Sequence, residues 1–124
     1  MLTFFDAEDY KGTASIYETH ITFNKPLLKY LSEAYRVRVG ADKEEGCAYI
    51  YLYTKDKAFN GEIKPSTLLP VSINKTYARI CSKILCDYIS RIFGLDIPHK
   101  SFLRFMAKYD DVKNCIVIDL KEAI

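Results

Sequence analysis

The chain has 124 residues, of which 49% are hydrophobic and 27% are charged, a balance typical of one globular domain with a buried core. Its net charge of +2 neither requires nor excludes a polyanionic partner, so any basic surface must come from the placement of the charges. No apolar run approaches the roughly 20 residues that span a bilayer, and the N-terminal residues lack the basic region of a signal peptide. We therefore expect a soluble, cytoplasmic protein without a membrane partner.

The segment before residue 35 predicts two strands followed by a short helix. Residues 2–5, "LTFF", and residues 14–23, "ASIYETHITF", are rich in the aromatic and β-branched side chains that favour strands. Residues 26–34, "PLLKYLSEA", have leucines at near-helical spacing. Asn24 can cap this helix, and Pro26 suits its first turn.

Residues 35–53 predict a β-hairpin. Apolar and polar residues alternate on both sides of the turn "KEEG", in which Gly46 can adopt a positive φ. The polar residues 54–66 that follow contain Asn-Gly and Pro, and they predict a turn-rich connector.

The second half predicts a strand, a long helix and another hairpin. Residues 67–74, "TLLPVSIN", read as a strand in which Pro70 indicates an edge or a bend. Residues 77–93 have apolar side chains at helical spacing, with Asn74 or Thr76 as the expected cap and Gly94 as the expected end. Residues 101–120 alternate again as a hairpin, with Asn114 able to take a positive φ.

The two predicted hairpins align without a gap at one offset, 115 − 47 = 68, which matches Cys47 with Cys115. The same offset matches Arg36 with Arg104, Asp42 with Asp110, Ile50 with Ile118, and Leu52 with Leu120. The pentapeptides "ITFNK" (21–25) and "VSINK" (71–75) are interpreted as the strand-to-helix junctions of the two halves.

These patterns predict an α+β protein made of two tandem β-α-β-β units. The first unit spans about residues 14–53 and the second about residues 67–120, with the connector 54–66 between them. We expect one domain over residues 1–124, with a pseudo-two-fold axis, mostly antiparallel strands, and one short and one long helix.

The order of strand, capped helix and long hairpin, together with "HITFNKPLLKYL" (20–31), resembles the swapped-hairpin unit of AbrB, SpoVT and MazE-type proteins. Two such units in one chain resemble the MraZ arrangement, a fused pseudo-dimer. This resemblance implies a DNA-binding protein similar to transcription regulators. The Gly-Arg pair that the family carries beside the strand-to-helix junction is absent here, and His20 stands near the position of that arginine.

Double-stranded DNA is the partner that the resemblance implies, and basic side chains on one surface would contact its phosphates. The predicted nucleic-acid-binding residues are Lys25, Lys29, Arg36, Arg38, Lys75, Arg79, Arg104 and Lys108. Such residues also serve simply to solvate exposed strand faces and to protect sheet edges.

An alternative prediction is a non-enzymatic interaction or accessory protein that has the same fold but does not bind DNA. Tyr49, Tyr51 and Tyr53 share one strand face, and we predict that they form an interface with a second copy or another protein. Stacking on single-stranded bases is the less favoured interpretation of this face. No nucleophile lies beside a base in a known motif, so we predict no catalytic residue and no enzyme activity.

Overall fold

The computed structural model describes residues 1–124, with the exception of the side chains of residues 8 and 9. In chain order the strands are β1 (Thr13–Ile16), β2 (His20–Asn24), β3 (Arg36–Asp42), β4 (Cys47–Tyr53), β5 (Leu68–Leu69), β6 (Ser72–Ile73), β7 (Tyr77–Cys81), β8 (Leu103–Asp110) and β9 (Cys115–Asp119). The α-helices are α1 (Leu28–Leu31), α2 (Lys55–Ala58) and α3 (Lys83–Phe93). No helix of the described chain is long and apolar enough to cross a membrane.

The strands form one curled antiparallel sheet in the order β5-β3-β4-β9-β8-β1-β2-β7-β6. Strands from the two halves of the chain alternate in it, because the hairpin β8–β9 lies between β4 and β1. The two ends of the sheet, β5 and β6, are separated in sequence only by Pro70 and Val71. Proline cannot donate to a strand ladder, which suits a break at this position. The α+β class and the mostly antiparallel strands are as predicted. The prediction of one short and one long helix is wrong, because the Thr54 side chain caps a third helix, α2, within the predicted connector.

The two hairpins have the same internal register. Asp42 lies opposite Cys47 in β3–β4, and Asp110 lies opposite Cys115 in β8–β9. Every pairing observed in β8–β9 therefore lies 68 positions after a pairing in β3–β4. The predicted hairpins over residues 35–53 and 101–120 are confirmed, and they turn at positive φ values of 69° at Gly46 and 51° at Asn114.

The inward-facing side chains of the sheet form a hydrophobic cluster that draws on both halves. Phe23 and Phe105 are its largest side chains and are almost completely buried. Helix α3 contributes Leu85, Cys86 and Ile89 from one face, as its helical spacing requires. Because the opposite faces of the strands point outward, their polar residues form the surface considered below.

The predicted strand at residues 2–5 is wrong. These residues belong to no strand, and the side chains of Phe4 and Phe5 are 80% and 79% exposed. The next strand in sequence, β1, already pairs with β2 and β8, so residues 2–5 have no edge of β1 to pair with. Residues 2–5 therefore form no strand, although their side chains favour one.

The single strand predicted over residues 14–23 is divided into β1 and β2 by a tight turn. The Tyr17 amide donates to the His20 carbonyl at 2.9 Å. The turn places Ile16 opposite Ile21, and both side chains are buried. A continuous strand would have put these two side chains on opposite faces, so burial of both favours the hairpin.

The long helix begins later than predicted, because residues 77–81 form strand β7. Ala78 and Ile80 point into the core, and the strand pairs along β2. Helix α3 begins at Lys83, and the Ser82 hydroxyl, not Asn74 or Thr76, caps it by accepting from the Leu85 amide at 3.1 Å. Gly94 ends the helix with a φ of 64°, as predicted.

The two Asn-Lys pairs are not equivalent, which corrects their interpretation as matching junctions. Asn24 ends β2 before a 3₁₀ turn, whereas Asn74 lies between β6 and β7. Asn24 does not cap through its side chain. Instead, the side-chain oxygen of Asn24 accepts from the Thr13 backbone amide at 2.8 Å, and its side-chain nitrogen donates to the Lys11 carbonyl at 2.7 Å. These two hydrogen bonds fix the start of β1.

Candidate nucleic-acid interface

Four polar side chains form a row across four adjacent strands on the outer face of the sheet. Arg104 of β8 is directly opposite Ser15 of β1, Ser15 is opposite Thr22 of β2, and Thr22 is opposite Arg79 of β7. Directly opposed residues in a ladder point to the same face, with Cβ atoms about 5 Å apart. We call this set, Arg104, Ser15, Thr22 and Arg79, the arginine row.

The arginine row forms part of the wall of a cleft of about 860 Å³. His20, Asn24 and Lys25 also line it. Of the described residues that line this cleft, none is an aspartate or a glutamate. The cleft therefore has basic and hydroxyl groups suited to an anion.

A second groove of about 680 Å³ adjoins the cleft and shares Lys25 and Pro26 with it. Lys29 and Lys108 also line this groove, and again no described lining residue is an aspartate or a glutamate. The two concavities contain five of the eight predicted nucleic-acid-binding residues. We call these five, Lys25, Lys29, Arg79, Arg104 and Lys108, the basic track.

The two arginines of the track differ in their contacts. The Arg104 Nε atom lies 3.5 Å from the Ser15 Oγ atom, and the guanidinium carbon is 5.2 Å from the centre of the Phe102 ring. The Arg79 Nε atom is buried, and it has no hydrogen-bond partner within the described part of the chain. A buried donor without a partner is rare in folded proteins and costs about 1–3 kcal/mol.

His20 lies in the same cleft as Arg79. Its ring stacks on Tyr17 with centres 4.2 Å apart, and its Nδ1 atom is 3.0 Å from the Thr19 hydroxyl. Burial, and then the positive charge of Arg79, lower the pKa of His20 below its usual 6.5. The ring is therefore mainly neutral at pH 7, and a bound anion would make its protonation easier.

The three predicted interface tyrosines lie half-exposed on the outer face of β4. Tyr49 and Tyr51 stack with centres 6.4 Å apart, and the Arg38 guanidinium lies 5.5 Å from the centre of the Tyr53 ring. Arg36 lies directly opposite Tyr53 in the β3–β4 ladder. We call this set, Tyr49, Tyr51, Tyr53, Arg36 and Arg38, the tyrosine face.

The structure thus divides the predicted basic residues among three places. Five form the basic track, Arg36 and Arg38 belong to the tyrosine face, and Lys75 is exposed between β6 and β7. Sequence reasoning did not identify Ser15 and Thr22 as site residues. Only the β1–β2 register could have revealed them, because it brings the two hydroxyls together.

No group of three or more His, Cys, Asp or Glu side chains that could hold a metal occurs among the described residues. The four cysteines, all within the described chain, are free thiols, and burial raises the pKa of Cys86 to about 11. No protein-family model, curated protein or solved structure matches the chain.

Proposed function

We propose that the protein binds nucleic acid, with double-stranded DNA as its ligand, and that the basic track contacts the phosphate backbone. The observation that carries this proposal is the gathering of five cations along two adjoining concavities whose described lining has no aspartate or glutamate side chain. The role that follows is that of a DNA-binding protein similar to transcription regulators.

The net charge of only +2 is compatible with DNA binding because no described aspartate or glutamate lines the two concavities. Lysine and arginine near phosphates release condensed counterions, which favours association whatever the base sequence. Ser15 and Thr22 add hydroxyl groups of the kind that position a protein on phosphate oxygens. The track thus provides binding and orientation, and sequence preference would require further contacts with bases.

We also infer that the chain consists of two duplicated β-α-β-β units related by a pseudo-two-fold axis. Two reciprocal hydrogen bonds support this inference. The Leu52 amide donates to the Asn114 carbonyl at 3.2 Å, and the Leu120 amide donates to the Gly46 carbonyl at 2.9 Å. Each donor and each acceptor has its counterpart 68 positions away, as a two-fold axis between β4 and β9 would require.

The turns of the two hairpins support the same inference. The Asp42 carboxylate accepts from the Glu45 amide at 3.2 Å, and the Asp110 carboxylate accepts from the Lys113 amide at 3.3 Å, 68 positions later. The insertion of β8–β9 between strands of the first half is also what a fused, swapped-hairpin pseudo-dimer would require. An AbrB-like or MraZ-like relationship therefore remains part of the proposal.

The test is a titration of a fluorescently labelled duplex with the protein at several salt concentrations. Each phosphate contact contributes about −0.9 to the slope of log K against log salt, so five contacts predict roughly a 500-fold loss of affinity between about 50 and 200 mM salt. The absence of binding at about 50 mM salt would refute DNA binding.

A second candidate function is interaction with another protein through the tyrosine face. Three half-exposed tyrosines beside two arginines have the composition of a protein interface centre. Light scattering after size exclusion would detect self-association, and replacement of Tyr51 by Ser should then abolish it. If the protein and this variant are both monomeric, self-association through this face is excluded.

A further inference from the structure

We infer that Arg79 is the anchor of a discrete site for a single phosphate group, with Thr22 as its neighbouring hydroxyl. This inference rests on the proposed function and deepens it, because it assigns one phosphate position to particular atoms. A general basic surface would bind phosphates without any such fixed position.

The Nε atom of Arg79 is the donor that this site would satisfy. It is buried, yet no atom of the described residues accepts a hydrogen bond from it. Its side chain nevertheless lines the cleft, so a turn of the guanidinium would bring the Nε atom to a ligand there. An accepting group from a ligand would remove the cost of this buried, unpaired donor.

The positive charge of Arg79 is not compensated by an ion pair within the described chain. The described lining of its cleft holds no aspartate or glutamate side chain. His20 lines the same cleft, and burial, followed by the charge of Arg79, lowers its pKa. The guanidinium charge is thus half-buried without a counter-ion, and an anion would supply one.

The residues on both sides of the Arg79 guanidinium also suit a phosphate. Thr22 faces Arg79 from β2, and Ser72 faces it from β6 on the other side. Hydroxyl groups can donate to phosphate oxygens from either flank. The Nε and one Nη of an arginine form a planar fork that matches two oxygens of a phosphate, a geometry that lysine cannot reproduce.

The phosphate could belong to a nucleic acid backbone or to a small phosphate compound, since the recognising chemistry is the same. The experiment therefore uses two probes, inorganic phosphate and a short DNA duplex. Arginine Nε–H resonances can be followed directly in ¹⁵N–¹H correlation spectra of the wild-type protein, so the first measurement does not depend on any variant. We expect the chemical shift of the Arg79 Nε–H resonance to change and then saturate as phosphate reaches millimolar concentration. The Nε–H proton should also exchange more slowly with water when phosphate is bound.

The variant arm compares Arg79→Lys with Arg91→Lys. Both keep the charge, and Arg91 lies in the last turn of α3, outside the cleft. Loss of a charge-assisted hydrogen bond predicts that Arg79→Lys weakens phosphate binding by about tenfold or more, and that Arg91→Lys leaves it unchanged.

The outcomes separate this inference from the proposed function. If the duplex binds with the expected salt slope but phosphate leaves the Arg79 resonance unchanged, the single-phosphate site is overturned and nucleic-acid binding stands. Equal effects of Arg79→Lys and Arg91→Lys would also overturn the site. If the Arg79 resonance responds to phosphate but the duplex does not bind, the site stands for small phosphate compounds and the proposed function falls. If neither probe binds, both are refuted.

Discussion

Arg104 and Ser15 lie directly opposite each other across the β1–β8 ladder, and the Arg104 Nε atom donates to the Ser15 hydroxyl at 3.5 Å. The serine side chain is buried, while the arginine is exposed. A contact of this length is at the limit of a hydrogen bond, so the guanidinium can turn towards a ligand at little cost.

The position of Ser15 between the two arginines leads to a prediction about charge. Ser15→Asp would place a carboxylate in the arginine row, pair with Arg104 and compete with a phosphate. We expect a loss of duplex affinity of about tenfold, as for one lost phosphate contact. Ser15→Asn has nearly the same size without the charge and should retain most of the affinity. Equal affinities of the two variants in the duplex titration would contradict the role given to the row.

His20 should make stability depend on pH. Burial, and then Arg79, lower its pKa in the folded protein below 6.5, so the unfolded chain binds a proton more readily. The free energy of unfolding should therefore be constant above about pH 7, decrease as the pH falls below 6.5 and through the folded pKa, and then level off. Urea unfolding across this range measures the effect, with His20→Gln as the control that lacks it. Arg79→Gln should raise the pKa of His20 in an NMR titration.

Replacement of Asn114 by alanine should lower the free energy of unfolding more than replacement by glycine. Its φ is 51°, its side chain accepts from the Tyr109 hydroxyl at 2.6 Å, and it donates to the Leu52 carbonyl at 3.1 Å. Both variants lose these two hydrogen bonds, at about 1 kcal/mol each. Alanine adds a left-handed backbone penalty of about 1 kcal/mol. If urea unfolding gives the same stability for both variants, the backbone at this turn is not strained.

Gly46 and Gly40 allow two glycine-to-alanine substitutions to be compared in the β3–β4 hairpin. Gly46 has a φ of 69°, and an added Cβ would lie 2.5 Å from the Lys121 Cγ atom. Gly40 has no atom within 4 Å of an added Cβ. We expect Gly46→Ala to lower the free energy of unfolding by about 1–2 kcal/mol. Gly40→Ala should leave it unchanged within about 0.5 kcal/mol. A greater loss at Gly40 than at Gly46 would contradict the turn geometry.

The hairpins could be predicted because their signals are local. Alternation between residues 35 and 53, and again between residues 101 and 120, fixes which side chains point inward. Gly46 and Asn114 mark the turns because these residue types tolerate a positive φ. Nothing outside each hairpin was needed for either inference.

Strand β7 and the arginine row could not be predicted because they depend on distant partners. Tyr77–Cys81 fits both a helical spacing and an alternating one, and only the free edge of β2 selects the strand. The arginine row requires three separate registers, which join residues as far apart in sequence as Ser15 and Arg104. Arg79 and Arg104 were predicted individually, whereas their common cleft and its hydroxyl groups were not.

The most direct test of phosphate binding by the basic track compares two double variants in the duplex titration at several salt concentrations. Arg79→Gln with Arg104→Gln removes two charges from the basic track, and Arg36→Gln with Arg38→Gln removes two from the tyrosine face. Phosphate binding by the basic track predicts that the first pair reduces the salt slope by about 2 and that the second leaves it unchanged. An unchanged slope in the first pair, or a loss confined to the second, would contradict it.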